Sequence, residues 1–113
     1  MIKMKKFLTL FLTLLLLTTN LYAEWKVSDY LERKQTLADY FESYISGLGV
    51  GFSWYNIDMK INAKRLYCPP ANLAITTENY IRILDDEIKR NKNVYVYIEP
   101  ALLDGLIHTF PCK

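Results

Sequence analysis

The chain has 113 residues, with 14 Lys+Arg, 12 Asp+Glu, one His and two Cys. That length supports one small domain and excludes a two-domain enzyme. Two Cys and one His cannot furnish a multi-ligand Cys/His metal centre, and no cofactor is expected.

The first 23 residues differ in composition from the rest. Lys3, Lys5 and Lys6 open the chain, an uncharged apolar stretch runs from Phe7 to Leu17, and Leu21-Tyr22-Ala23 follows. A basic start, a short apolar run and a small residue at the end form the pattern of a secretory signal peptide cut between Ala23 and Glu24. The apolar run is shorter than the ~20 residues that span a bilayer, so no stable membrane insertion is expected after the cut. The expected organisation is a signal peptide at 1–23 and a single helical domain at 24–113. Removing three leader lysines leaves eleven basic residues against twelve acidic ones, which turns the formal charge from +2 to −1. Nothing resembles the strongly basic stripe of a nucleic-acid-binding domain, and no nucleic-acid partner is expected. Export permits disulfides. Cys68 and Cys112 allow one intramolecular pairing; free thiols or an intermolecular bond are the alternatives.

The first helix of the mature part is read from Leu37, Tyr40, Phe41, Tyr44, Ile45, Leu48, Phe52 and Tyr55, an apolar stripe on a 3.6-residue period. Ser28 with Asp29 offers a cap for an earlier start. The helix is expected to fray near Asn56–Asp58, ahead of the polar and basic residues from Asp58 to Arg65. Gly47-Leu-Gly-Val-Gly51 lacks the Lys-Ser/Thr of a phosphate loop and does not follow a strand. Gly47 and Gly51 share a helix face, so the expectation is close packing of another backbone.

Leu66-Tyr67-Cys68-Pro69-Pro70 breaks the pattern, because two prolines remove two donors and hold Cys68 extended. A second helix is expected from about Thr76 to Arg90. Thr76 or Thr77 caps it, and Tyr80, Ile81, Leu84 and Ile88 form its buried stripe. Asp85-Asp86-Glu87 reads as a solvated face of that helix. Residues 94–98 alternate β-branched and aromatic side chains, yet one strand has no partner here, so an extended connector is expected. Pro100 then opens a third helix carrying Ala101, Leu102, Leu103, Leu106, Ile107 and Phe110. The fold class is all-α: a small bundle of three to four helices with one disulfide.

No catalytic residue is assigned. His108 is the sole histidine, no G-x-S-x-G is present, and a triad needs a base and an orienting acid beside its nucleophile. The binding candidates are the aromatic and acidic positions outside the apolar stripes: Tyr95, Tyr97 and Glu99 on the connector, then Asp85 and Asp86.

Tyr44-Ile45-x-Gly47 in a first helix, Leu66-Tyr67-Cys68-x-Pro70 before a Thr-led helix, and a closing Phe110-Pro111-Cys112 together resemble the Rap/Tai family of small exported helical proteins. The resemblance covers about residues 39–112. The chain departs from it in reading Tyr40-Phe41-Glu42-Ser43 where many relatives carry a further Cys. The resemblance implies a Cys68–Cys112 bridge. It also implies a periplasmic immunity protein that binds a type VI secretion effector of the peptidoglycan amidase or peptidase type and occludes its active site. The complex is expected to be 1:1, or 2:2 through a homodimer. The alternative reading is a periplasmic acid-stress chaperone of the HdeA type, which is also small, exported, helical and singly bridged.

Overall fold

The computed structural model describes residues 2–17, 24–61 and 64–113. Among these, five helices follow one another: α1 (Ile2–Leu17), α2 (Val27–Arg33), α3 (Ala38–Ile61), α4 (Thr77–Arg90) and α5 (Ile98–Thr109). The count exceeds the expected three to four because the apolar stretch at Ile2–Leu17 is itself helical and a short α2 precedes the long first helix of the bundle. No described helix is long and apolar enough to cross a membrane. Among the described residues the core draws on positions between Trp25 and Phe110. Phe7, Leu8 and Leu10 of α1 are exposed. Ala23 lies outside the described residues, and Glu24 begins the described body.

Helix α4 is the centre of the bundle and packs on both α3 and α5. Thr76 sits in extended backbone and its Oγ1 accepts the Asn79 N–H at 3.2 Å, which satisfies one of the free donors of the first turn. Glu78 in that turn, and Lys89 and Arg90 in the last, suit the helix dipole. Tyr80, Ile83, Leu84, Glu87 and Ile88 are buried at spacings of three, one, three and one. The expected stripe holds, except that Ile83 is buried where Ile81 was expected and is joined by a carboxylate.

Two glycines let the neighbours of α4 come close. A Cβ on Gly49 of α3 would lie 2.6–2.7 Å from the Tyr80 ring, and one on Gly105 of α5 would lie 2.8 Å from Ile83 Cγ2. Gly47 and Gly51, expected to mediate such packing, face open space. The close-approach position is therefore on the opposite phase of the helix. Gly49→Ala should destabilise the fold by about 2 kcal/mol, because the Tyr80 ring is pinned in the core. Gly47→Ala should instead stabilise it by about 0.5 kcal/mol through helix propensity. Urea unfolding of both variants checks the pair, and equal shifts would contradict it.

Helix α3 runs past the expected fray at 56–58 to Ile61. Asn56 is the reason. It is buried, its Oδ1 accepts the N–H groups of Leu66 (2.9 Å) and Tyr67 (3.3 Å), and its Nδ2 donates to the Tyr67 carbonyl at 2.8 Å. One polar side chain thus satisfies the backbone of the segment that precedes Cys68. Burial pushes the Tyr67 hydroxyl up to about 12, with Tyr80 adding to the shift. The Cys68–Cys112 disulfide is formed, and Cys68 N–H donates to the Phe110 carbonyl at 2.7 Å. The end of α5 is thereby fastened to the loop before α4.

The connector is shorter than expected, residues 95–97, because Val94 closes the turn after α4 and Ile98 already belongs to α5; it does find a partner. Lys26 and Tyr97 form an isolated antiparallel bridge, with Val27 N–H on the Val96 carbonyl (2.8 Å) and Ile98 N–H on the Trp25 carbonyl (2.9 Å). The start of the body and the start of α5 are held side by side. Lys26 precedes α2 without a side-chain cap, so Ser28 and Asp29 do not cap it. Pro100 is the third residue of α5 rather than the first, still within the turn whose N–H groups lack helical acceptors.

Candidate partner-binding surface

Alternation in the connector sorts its side chains. Tyr95 packs against the core, while Val94 (67%) and Val96 (63%) are exposed. The hydroxyl of Tyr95 donates to Glu87 Oε1 at 2.8 Å and lies 2.9 Å from Asp104 Oδ2. Burial first, then these two carboxylates, hold its pKa well above the ordinary phenol value.

The expected binding candidates divide accordingly. Tyr95, Tyr97, Glu99 and Asp85 are half-buried rather than exposed, and only Asp86 stands open to solvent. Glu99 Oε1 accepts the Trp25 N–H at 3.0 Å and the Tyr44 hydroxyl. Asp85 Oδ1 accepts the Tyr30 hydroxyl at 2.7 Å, and its Oδ2 is 3.9 Å from Lys34 Nζ. Tyr97 is the residue before α5 and bridges to Lys26. Position outside an apolar helical stripe does not imply a free side chain, since phenols and carboxylates are tied across elements that are distant in sequence.

Glu87 overturns the solvated-face reading of its acidic run. It is fully buried between α4 and α5. It accepts from Tyr95, from Asn91 Nδ2 (2.8 Å) and from His108 Nδ1, which is 3.0 Å from both carboxylate oxygens. Arg90 approaches to 3.7 Å. Burial alone would raise its pKa, but the hydrogen bonds from His108, Tyr95 and Asn91 outweigh burial and hold it below the ordinary carboxylate range. His108 is thus the partner of a structural carboxylate. Among the described residues no group of three or more His, Cys, Asp or Glu side chains is placed to hold a metal ion.

The sequence reading missed the surface that the exposed valines create. Val96, Leu31 and Ile88 line a cleft of about 400 Å³ between α2, the end of α4 and the connector. Leu31 (46% exposed) and Val96 face water across the buried Ile88 at its floor, and Val94, next but one to Val96 in the chain, is exposed as well. Lys26 and Lys92 also line the cleft, and no acidic side chain does. Neither ammonium is in an ion pair among the described residues. The alternating β-branched residues of 94–98 were the available signal. A solvent-facing Val94-x-Val96 with Tyr95 between them turned inward is the reverse of the usual arrangement. The cleft suits a partner that presents an apolar knob flanked by carboxylates.

No family model matches the chain, and neither a curated protein nor a solved structure matches it.

Proposed function

We propose that the mature chain is a periplasmic immunity protein that binds an exported peptidoglycan-directed effector and occludes its active site. The observation that carries the binding reading is the aliphatic cleft with its two unpaired lysines, held on a small helical scaffold closed by the Cys68–Cys112 bridge. The resemblance to the Rap/Tai proteins supplies the class of partner, and the bridge joins the two cysteines that the resemblance pairs. Such a protein performs no chemistry of its own. Its needs are a rigid surface and a complementary charge pattern, which set specificity and association rate. The cleft replaces the contact surface expected from sequence, because Glu99, Asp85 and Tyr95 are engaged in internal bonds.

The test looks beside this chain's gene for a periplasm-directed toxin and pairs the two; a neighbourhood without one would count against the reading. Cells that export the chain should survive that toxin, and cells producing it without residues 1–23 should not. Leu31→Asp and Val96→Asp place a carboxylate where an acidic partner must dock. Each should weaken binding by roughly 30-fold or more, which corresponds to about 2 kcal/mol. Helicity and melting temperature should be nearly unchanged, because both side chains are exposed. Unchanged affinity in both variants would remove the cleft from the interface.

The acid-stress chaperone reading keeps one observation in its favour. The buried Glu87 carboxylate joins α4, the connector and α5, so acid acts on the centre of the bundle. A chaperone of that kind should suppress aggregation of unrelated proteins at acid pH and give no protection against the neighbouring toxin.

A further inference from the structure

Glu99 presents an imbalance at the point where the body of the protein begins. Its Oε1 is served by the Trp25 N–H and the Tyr44 hydroxyl. Its Oε2 is buried and has no hydrogen-bond partner among the described residues. A carboxylate oxygen shut away from water without a donor is an unfavourable arrangement. The charges around it do not relieve it. Glu24 is close enough to act, with Glu99, on the Tyr44 hydroxyl, whose pKa burial raises first and these groups raise further. Tyr40 and Tyr44 of α3 also face this corner, and Lys26 and Tyr97 meet beside it in their bridge. None of the described ion pairs involves Glu99. The N-terminal dipole of α5 favours a negative charge in this first turn but places no donor on Oε2.

The missing cation is one residue away in the sequence. The Trp25 nitrogen already lies 3.0 Å from Oε1. Backbone nitrogens of successive residues are roughly 3–3.7 Å apart, so the Glu24 nitrogen lies within about 7 Å of this carboxylate. In the uncut chain that nitrogen belongs to a peptide bond. When water is added across the Ala23–Glu24 bond, the Ala23 carbonyl carbon takes the hydroxyl and leaves as a carboxylate. The Glu24 nitrogen takes the proton and, at neutral pH, one more, becoming an ammonium with three donors. Once freed, it swings about the single ψ dihedral of Glu24.

We propose that cleavage after Ala23 creates an α-ammonium at Glu24 that closes on the buried Oε2 of Glu99, so that processing completes the fold. The inference rests on the signal-peptide reading. Its consequence reaches the binding surface, because the same corner holds the Lys26–Tyr97 bridge and the Val27–Val96 hydrogen bond. Lys26 and Val96 both line the cleft. Processing therefore fixes one wall of the surface that the partner meets.

The experiment uses residues 24–113 with a native Glu24 start, since the core lies wholly between Trp25 and Phe110. This protein is compared with its N-terminally acetylated form, each with and without Glu99→Gln. Acetylation should lower the melting temperature by roughly 5 °C in the parent and by under about 1 °C in the Glu99→Gln background. An NMR titration should place the α-amine about one unit above its ordinary value of roughly 7.7–8.0. A raised pKa means that the stabilisation is present below the ordinary value and is lost as pH rises through the shifted one. Equal costs of acetylation in both backgrounds would overturn the pairing. So would an unshifted amine, which is read on the parent alone and does not depend on the Glu99→Gln variant folding. N-terminal sequencing of the chain recovered from the envelope addresses the processing separately. A start at Glu24 supports the proposal, and any other start overturns it through the cleavage site while the pairing results stand.

Discussion

Severing the Cys68–Cys112 bridge, by the double serine substitution, is expected to cost about 4 kcal/mol, following the chain-entropy relation for a loop of this length. The two cysteines are 44 positions apart, and the loop between them contains all of α4 and all of α5. Little of that cost should appear as lost native structure. Cys68 is separately held by its N–H on the Phe110 carbonyl, and the residues before it are clamped by Asn56. The bridge acts instead on the unfolded chain, which regains conformational freedom when the loop opens. The variant should therefore keep its helical content at low temperature and melt roughly 15 °C or more below the parent. Its denaturant dependence should steepen, because a chain without the crosslink exposes more surface on unfolding. Matching urea midpoints for the oxidised protein with and without reductant would sink this account.

What could be read from the sequence were the features decided by neighbours a few residues apart. Thr76 followed by a 3.6-residue stripe specified α4, and the cap bond is present. The length of α3 was not readable, because Asn56 is retained in the helix by backbone groups at 66 and 67, beyond the helix end. Glu87 follows two aspartates and looks solvated in sequence. Its burial depends on Tyr95 and on His108, which lies 21 positions away. The glycine run shows the same limit. Spacing identified Gly47 and Gly51 as sharing a face, but the face that meets another helix is set by Tyr80, and Gly49 lies under it. The aliphatic cleft was not legible in the sequence, because the outward-facing set of the connector is not decided within it. The pairing with residues 25–27 decides which alternate set points outward, and that contact spans about 70 positions of the chain.

Loss of the Glu87 carboxylate should be the largest single-residue effect in the bundle. Glu87→Ala removes the acceptor shared by Tyr95, Asn91 and His108 and leaves a cavity between α4 and α5. Unmade buried hydrogen bonds to a charged group put the cost at about 3 kcal/mol. Glu87→Gln keeps the volume and part of the acceptor capacity, so its cost should be smaller. The pH dependence separates charge from shape. Hydrogen bonds hold the folded-state pKa below the ordinary carboxylate value, so in acid the unfolded chain binds a proton more readily than the native one. Stability from this group is complete above the unfolded value of about 4.3 and declines as pH falls toward the folded value. Acid unfolding should thus show a component that disappears in Glu87→Gln. His108→Ala should reduce that component, because His108 makes the first of the hydrogen bonds that lower the carboxylate pKa. Urea midpoints measured between pH 3 and pH 7 for the parent, Glu87→Gln and His108→Ala give the three curves. If the parent and Glu87→Gln lost stability in parallel below pH 4.5, the acid sensitivity would belong to other carboxylates, and Glu87 would stabilise the bundle by hydrogen bonding alone.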